Sequence, residues 1–324
     1  MDPWSLTTYL ICFGGGIIGA GLGALYSLIL CCGLIVAGCL SVVLGGSDFL
    51  LLQVGLGPIF GVHCGGFCSG VVAITYAEGV RKNAPGGPGT GKDILSPLIG
   101  TSWDVLVVGG LWAVLAHTFL GLLSKVPVIN WFDCLALTVV AGNMLSRLFF
   151  QKCPPWGLSE SIKKYGYFGT GDGAIQWVAW QQNPLSKAVV LGLGVGLVSA
   201  ACVLWFQAQL APLVAKSTVS PVAAFVAPLI FTFALACISL MGLNWGTGKI
   251  QQYPVWHHIA LLSSLAMLLF GSVIVAGIVG MLAALLGELM ARLFWNHGTN
   301  HIDPPACSIA FGTFLLNIVN KIVT

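Results

Sequence analysis

Residues 83–97 read NAPGGPGTGKDILSP and residues 246–254 read GTGKIQQYP, so the pattern GTGKxxxxP occurs twice, at Gly89–Pro97 and again at Gly246–Pro254. A glycine-rich run ending in lysine resembles a phosphate-binding loop. That loop, however, needs Ser or Thr after the lysine to hold Mg²⁺, and it lies between a buried strand and a helix. Here Asp93 follows Lys92 and a long apolar run precedes the motif, which excludes nucleotide binding. The stretch reads instead as the start of a helix: Gly supplies unusual dihedrals, and Lys92 and Lys249 sit where cytoplasmic basic residues are favoured. The functional alternative is a loop in which exposed N–H groups and Lys92 or Lys249 attract an anion.

Composition fixes the surroundings of these loops. Of 324 residues, 57% are hydrophobic and 7% charged, whereas soluble domains carry roughly a quarter charged residues. The mean hydropathy is +0.95. This is the composition of an integral membrane protein whose main partner is the lipid bilayer. Backbone polar groups in lipid must be satisfied within each segment, and the apolar runs are too long for barrel strands, so the expected fold is an all-α bundle. A net charge of +3 is too small to point to nucleic acid. The first apolar run starts almost at Met1 without a basic segment before it and is followed by further spans, so no cleavable signal peptide is expected. Most of the eleven cysteines are scattered through apolar runs, as small buried thiols rather than a disulfide framework. His63, Cys64 and Cys68 in VHCGGFC lack a second half-site, and Gly65, Gly66 and Gly70 favour close helix packing there. No metal and no cofactor are expected.

Runs of about 20 apolar residues predict ten helices: 7–28, 29–46, 50–77, 97–123, 131–151, 187–208, 220–241, 256–274, 278–296 and 306–322. Gly45, Gly46 and GLGP at 55–58 offer a broken or re-entrant segment as the alternative within the first 77 residues. Threading this arrangement puts ten Lys and Arg on one side and only Lys125, Lys216 and Lys321 on the other. The richer side is therefore read as cytoplasmic, in a plasma (inner) membrane, with both termini outside. Residues 152–186 hold Trp156, Tyr165, Tyr167, Trp177 and Trp180 among charges, an interfacial amphipathic linker rather than a span.

GNMLSRLF at 142–149 and GELMARLF at 287–294 extend the recurrence, and Pro154 and Pro155 are echoed by Pro304 and Pro305. The division that follows is an extra N-terminal helix (1–28), a four-helix repeat (29–151), the linker (152–186), a second four-helix repeat (187–296) and a loop with a last helix (297–324). Four spans separate the two GTGK loops, so the repeats are expected to be parallel; a linker crossing the bilayer would make them inverted.

FGVHCGGFCSG (60–70), GKDI with TSWDVLVVGG (91–110), PVWHHIAL (254–261) and GELMARLFWNHGTNHIDPPA (287–306) resemble an uncharacterised bacterial family of multi-pass, permease-like membrane proteins, a domain of unknown function. AEGVRKNAPGGPGTG (77–91) is similar to a segment in an integral subunit of the sodium-translocating tetrahydromethanopterin S-methyltransferase of methanogens. That likeness implies sodium coupling.

Ionisable groups at membrane depth are expensive and mark solute or ion pathways. On the repeat alignment Asp104 in one half faces the region of His257 and His258 in the other, a pairing suited to a proton- or cation-coupled site. His63 lies in a glycine-rich run with room for a pore. Glu288 and Arg292 are spaced i, i+4 and are expected to pair along one helix. His301 and Asp303 precede two prolines, where Asp303 is placed to cap the last helix; as ligands they would need partners from another loop. These residues make a transporter or channel for a small polar solute or ion the leading expectation, with a non-catalytic membrane subunit of a larger complex as the alternative. The chain has no HExxH and no GxSxG, so an enzyme is not expected. Gly at 43 positions favours tight helix contacts within or between protomers, so a homo-oligomer is among the expected partners.

Overall fold

The computed structural model describes residues 2–170, 177–178, 184–244 and 253–323. Among the described residues every regular element is a helix. The main ones are α1 (Leu6–Leu22), α2 (Ala24–Val43), α3 (Cys68–Tyr76), α4 (Trp103–Leu123), α5 (Cys134–Gln151) and α6 (Ser159–Tyr165), followed by α7 (Leu185–Ala215), α8 (Pro221–Ser239), α9 (His257–Phe270), α10 (Val273–Met290) and α11 (Pro304–Val323). Seven helical stretches, those of α2, α4, α5, α7, α8, α10 and α11, are long and apolar enough to cross a membrane, while Leu6–Leu22 and His257–Phe270 are apolar but shorter. The second GTGK loop, with Lys249, and also Trp180 lie outside the described residues.

Local chemistry sets the boundaries. The expected span 7–28 stops at Leu22 because Gly23 takes φ 85°, a value open to glycine at little cost, and α2 starts directly after it. The expected start at 97 moves to Trp103, because Leu98 N–H bonds the Gly21 carbonyl and holds the chain over the end of α1. The run 50–77 is not one helix. A π-helical turn (Leu50–Gly55) gives way to irregular turns, and α3 begins only at Cys68, with a second π turn over Ala77–Arg81. Pro58 has no N–H to donate, and Gly55, Gly57, Gly61, Gly65 and Gly66 weaken any helix through this stretch. The irregular backbone bonds itself instead, Gly61 N–H to Gly57 O and Cys68 N–H to Val62 O, both at 3.0 Å.

Two groups of helices share a packing plan. In the first, α1 packs on α4, α3 packs on α4 and α5, and α1 touches α3. In the second, α7 packs on α10, α9 packs on α10 and α11, and α7 touches α9. Glycines let the leading pairs approach closely: Gly16 abuts Gly109 and Gly110, and Gly192 abuts Gly280 while Gly196 abuts Ala276. The groups meet through two antiparallel pairs. The Cys39 thiol near the end of α2 reaches the Ala227 carbonyl near the start of α8 at 3.6 Å. Asn317 near the end of α11 donates to the Trp131 carbonyl just before α5 at 2.7 Å. Leu111, Leu115, Val190, Ile274 and Leu282 point outward, an apolar surface compatible with a multi-pass membrane protein.

Candidate functional site

The last helix is the best starting point. Asp303 caps α11, its Oδ2 accepting the Ala306 N–H at 2.8 Å. Its Oδ1 lies 3.1 Å from His301 Nε2, and His301 Nδ1 accepts the Trp295 indole N–H at 2.9 Å. Because Nδ1 is the acceptor, Nε2 carries the proton and donates to the carboxylate, which fixes the tautomer. Burial pushes the Asp303 carboxyl up, but the hydrogen bonds from His301 and from the Ala306 N–H hold the group below the usual carboxylate value. His257, the first residue of α9, packs edge-on against Phe233 with ring centroids 5.5 Å apart. It is 5% exposed, and its Nδ1 has no hydrogen-bond partner.

Three voids follow one another around these groups. A polar cleft of about 570 Å³ opens between Glu78, Lys82, Gln151, Lys152 and Thr299, with Lys92 on its wall. Lys92 also lines a second void of about 230 Å³, together with Trp295, Tyr253, Phe67, His257 and Asp303. Leu28, Phe67, His257 and Asp303 in turn line a third void of about 170 Å³, which ends beside Asp133 and Leu56. Lys92 thus lines both of the first two spaces. Leu28, Phe67, His257 and Asp303 line both of the last two.

Lys92 is held in place on both sides. Its Nζ donates to the Asn296 carbonyl at 3.1 Å and sits 4.0 Å from the centre of the Trp295 ring. Burial, and then the nearby Arg147 charge, lower its pKa to about 7. In the cleft Glu78 is committed to the protein: Oε1 accepts the Gly89 N–H at 3.2 Å and Oε2 accepts the Gln151 amide at 2.6 Å.

The residues singled out in the sequence do not all meet here. His301, Asp303, His257 and Lys92 come together. Asp104 stays in its own half, 3.0 Å from Arg81 Nε and 2.9 Å from the Tyr76 hydroxyl. The carboxylate beside His257 is therefore that of Asp303, because the packing brings α11, not α4, against α9. His258 turns toward α10, where its Nε2 lies against Gly287. Among the described residues the close acid–base contacts are the Arg81–Asp104 ion pair and the hydrogen bond from neutral His301 to Asp303, and the expected Glu288–Arg292 pair is not among them. Arg292 donates to the Phe168 carbonyl at 3.1 Å instead. The α-helix ends at Met290 and Arg292 lies in the π turn Ala291–Trp295, where its guanidinium is used by the Phe168 carbonyl of the linker. His63 is fully buried with neither ring nitrogen bonded and belongs to none of the three voids. The Cys64 and Cys68 thiols go to the Ala113 carbonyl and to Asn143 Oδ1 at 3.5 and 3.4 Å.

Two features escaped the sequence reading. Arg147, by sequence one of the ten Lys and Arg of the cytoplasmic side, is the largest fully buried side chain among the described residues. Its guanidinium donates to Asn300 Oδ1 at 2.6 Å, to the Asn300 carbonyl at 2.8 Å and to the Pro155 carbonyl. The Asn300 amide continues to Asn143 O and Thr75 Oγ1. This network pins the 297–303 turn, and with it Asp303, to α5 and α3. The second is Asp133, which caps α5 through the Ala136 N–H at 2.8 Å and lines the far void. Burial raises its pKa. The signal was available: DCLA at 133–136 and DPPA at 303–306 share the same Asp-to-Ala spacing.

A helical bundle with an apolar exterior and polar groups gathered around voids in its interior belongs to the class of multi-pass helical proteins compatible with a membrane. The chain itself belongs to a family of unknown function, DUF7973, whose profile matches residues 1–153 and 175–323. No curated protein and no solved structure matches it.

Proposed function

We propose that this chain is a transporter or channel that moves a small polar solute or ion through the seam between two halves of the bundle. The observation that carries the reading is the series of three voids, the first two sharing Lys92 and the last two sharing Phe67, His257 and Asp303. Close-packed interiors hold few voids larger than a water molecule, and ionisable groups at membrane depth are retained where something hydrophilic reaches them.

The halves are α1–α5 and α7–α11. Equivalent helices, α2 with α8 and α5 with α11, meet antiparallel across the seam. An axis along the membrane normal would bring equivalent helices together parallel, so the packing favours an axis in the membrane plane, the inverted arrangement of many transporters. The four-helix parallel division has no counterpart for the α7–α10 contact, because α2 does not pack comparably on α5 and α1 packs on α4 instead. On this reading the GTGKxxxxP recurrence falls on non-equivalent connections, α3–α4 and α8–α9, at the same end of the bundle. The count of basic residues makes that end cytoplasmic in a plasma membrane. Asp133 and Asp303 become equivalent carboxylates, and the two smaller voids are one binding space seen from the two membrane faces. Rocking of the halves would open one end of that space while the other stays shut.

The test is flux into proteoliposomes of purified protein, with a panel of small ions and polar metabolites. We expect uptake of at least one of them, lowered about tenfold or more by Phe67→Trp or Asp303→Asn. Absence of flux for a well-folded preparation that retains stoichiometric partners on purification would replace this reading with that of a membrane subunit of a larger complex.

A further inference from the structure

The void that ends at Asp133 has a definite chemical character. Its lining contains two carboxylates, Asp133 and Asp303, one imidazole, His257, and otherwise apolar side chains. No lysine or arginine lines it. An anion placed there would face two carboxylates without a counter-charge, which an interior of low dielectric penalises heavily. An uncharged polar solute would find few hydrogen-bond groups and no donor from a cation. A cation finds both carboxylates.

The remaining walls narrow the kind of cation. A bare alkali ion needs a shell of oxygens, and this void offers few beyond the two carboxylates. An ammonium group needs acceptors for its N–H donors and tolerates an aromatic face. Phe67 and Phe233 line the space, and His257 brings a buried ring whose Nδ1 has no partner in the protein. The same chemistry already operates one void away, where the Lys92 ammonium is held by a carbonyl and the face of Trp295.

We infer that this space binds a small cation of the ammonium type at its Asp303 end, donating to that carboxylate and to His257 against Phe67 and Phe233. This rests on the conduit reading above and names its cargo. Asp303, anchored by His301, is the fixed end of the site. Asp133, bonded only to its own helix start, is the end at which the cation arrives or leaves. Lys92 is the charge that such a cargo must pass to reach the cleft.

Thermal unfolding of the detergent-purified full chain at constant ionic strength tests the site directly. Ammonium chloride and methylammonium chloride should raise Tm in a saturable way, while sodium chloride and sodium acetate should not. Asp133→Asn and Asp303→Asn keep the capping oxygen, so both should fold; Asp303→Asn should weaken the apparent ammonium affinity about tenfold or more, and Asp133→Asn should weaken it less. His257→Gln is a third variant that leaves both caps untouched, and it should weaken binding as well. Equal stabilisation by sodium, stabilisation by acetate, or wild-type ammonium titrations in all three variants would overturn the inference. The two readings fail separately: saturable ammonium binding without flux removes transport and keeps the site, whereas flux of another solute with no ammonium effect keeps transport and removes this cargo.

Discussion

Asp133 and Asp303 stand at the starts of α5 and α11, each followed three residues later by an alanine whose N–H the carboxylate caps, at the same distance of 2.8 Å. Their local structures match, yet their chemistry diverges. Behind Asp303 stands a relay from Trp295 to His301, and the carboxyl is held below its usual value. The hydrogen bonds given to Asp133 come from the start of its own helix, and burial leaves it above its usual value. A capping motif therefore fixes where an acid sits, and what stands behind the acid fixes the direction in which its pKa moves. The linkage has opposite signs at the two places. Asp303 contributes stability above its unfolded pKa that is lost as pH falls through the folded value. Asp133 costs stability as pH rises through its raised value.

The most forceful way to break this comparison is to release the turn that carries Asp303. Arg147→Ala would leave the two buried Asn300 carbonyl groups and the part-buried Pro155 carbonyl without their donor. Removing one partner of a buried, hydrogen-bonded charge costs roughly 3–5 kcal/mol, and a loss of that order is expected. Tm in detergent, with size-exclusion profiles as the check on folding, should drop far more than for Asp133→Asn. Arg147→Lys should not rescue it, because a point charge cannot reproduce the fork that spans Asn300 and Pro155. A Tm for Arg147→Ala close to that of the parent protein would mean that the 297–303 turn is held by something else.

A subtler change removes the relay and leaves its surroundings. Trp295→Phe deletes the N–H that bonds His301 Nδ1 and weakens the platform under Lys92. A neutral hydrogen bond and a partly buried cation–π contact together are worth about 1–2 kcal/mol. Thermal unfolding should register that loss, and the cation affinity of the Asp303 end should fall while that of an Asp133→Asn background changes in proportion. If Trp295→Phe leaves both stability and binding as they were, the contrast between the two acids has another origin.

Much of this architecture is legible in the residues, and the exceptions have physical causes. Apolar length alone predicts the helical class and most spans. It fails between 56 and 67, where Pro58 and closely spaced glycines keep the run apolar while removing its helix. Asp303 is readable as a cap because two prolines follow it. Asp133 sits in SKVPVINWFD, a stretch that reads as an ordinary polar connection, and only its void gives it a role. Arg147 reads as a surface charge since nothing local marks a guanidinium whose partners lie in a turn more than a hundred residues away. The Asp104 and His257 pairing rests on a repeat alignment, and sequence similarity between two loops does not specify which helices pack together.

Lys92 sharpens the comparison from the cleft side. Its folded pKa of about 7 lies below the roughly 10.4 of an unfolded lysine. Between those values the unfolded chain binds more protons, so stability should rise with pH across that window, and the cost of burying the charge is fully present below about pH 7. Lys92→Met removes the term. The Tm difference between Lys92→Met and the parent protein should favour the variant near pH 6.5 and shrink toward pH 9, in buffers of equal ionic strength. A pH-independent difference would show that Lys92 is not buried against Trp295 as a charge.

The smallest expected effect belongs to Asp104, the residue whose position in the sequence most resembles a site. Its partner Arg81 is 47% exposed, and an ion pair so open to solvent is screened and contributes little. The Asp104 side chain is itself 19% exposed, but it is bonded to Tyr76 and Arg81 and lines neither of the two smaller voids. Asp104→Asn should therefore leave Tm, ammonium titration and flux within error of the parent protein. A large loss of binding in that variant, with Asp133→Asn silent, would move the conduit to the outer flank of α4 and reverse the assignment of the two acids.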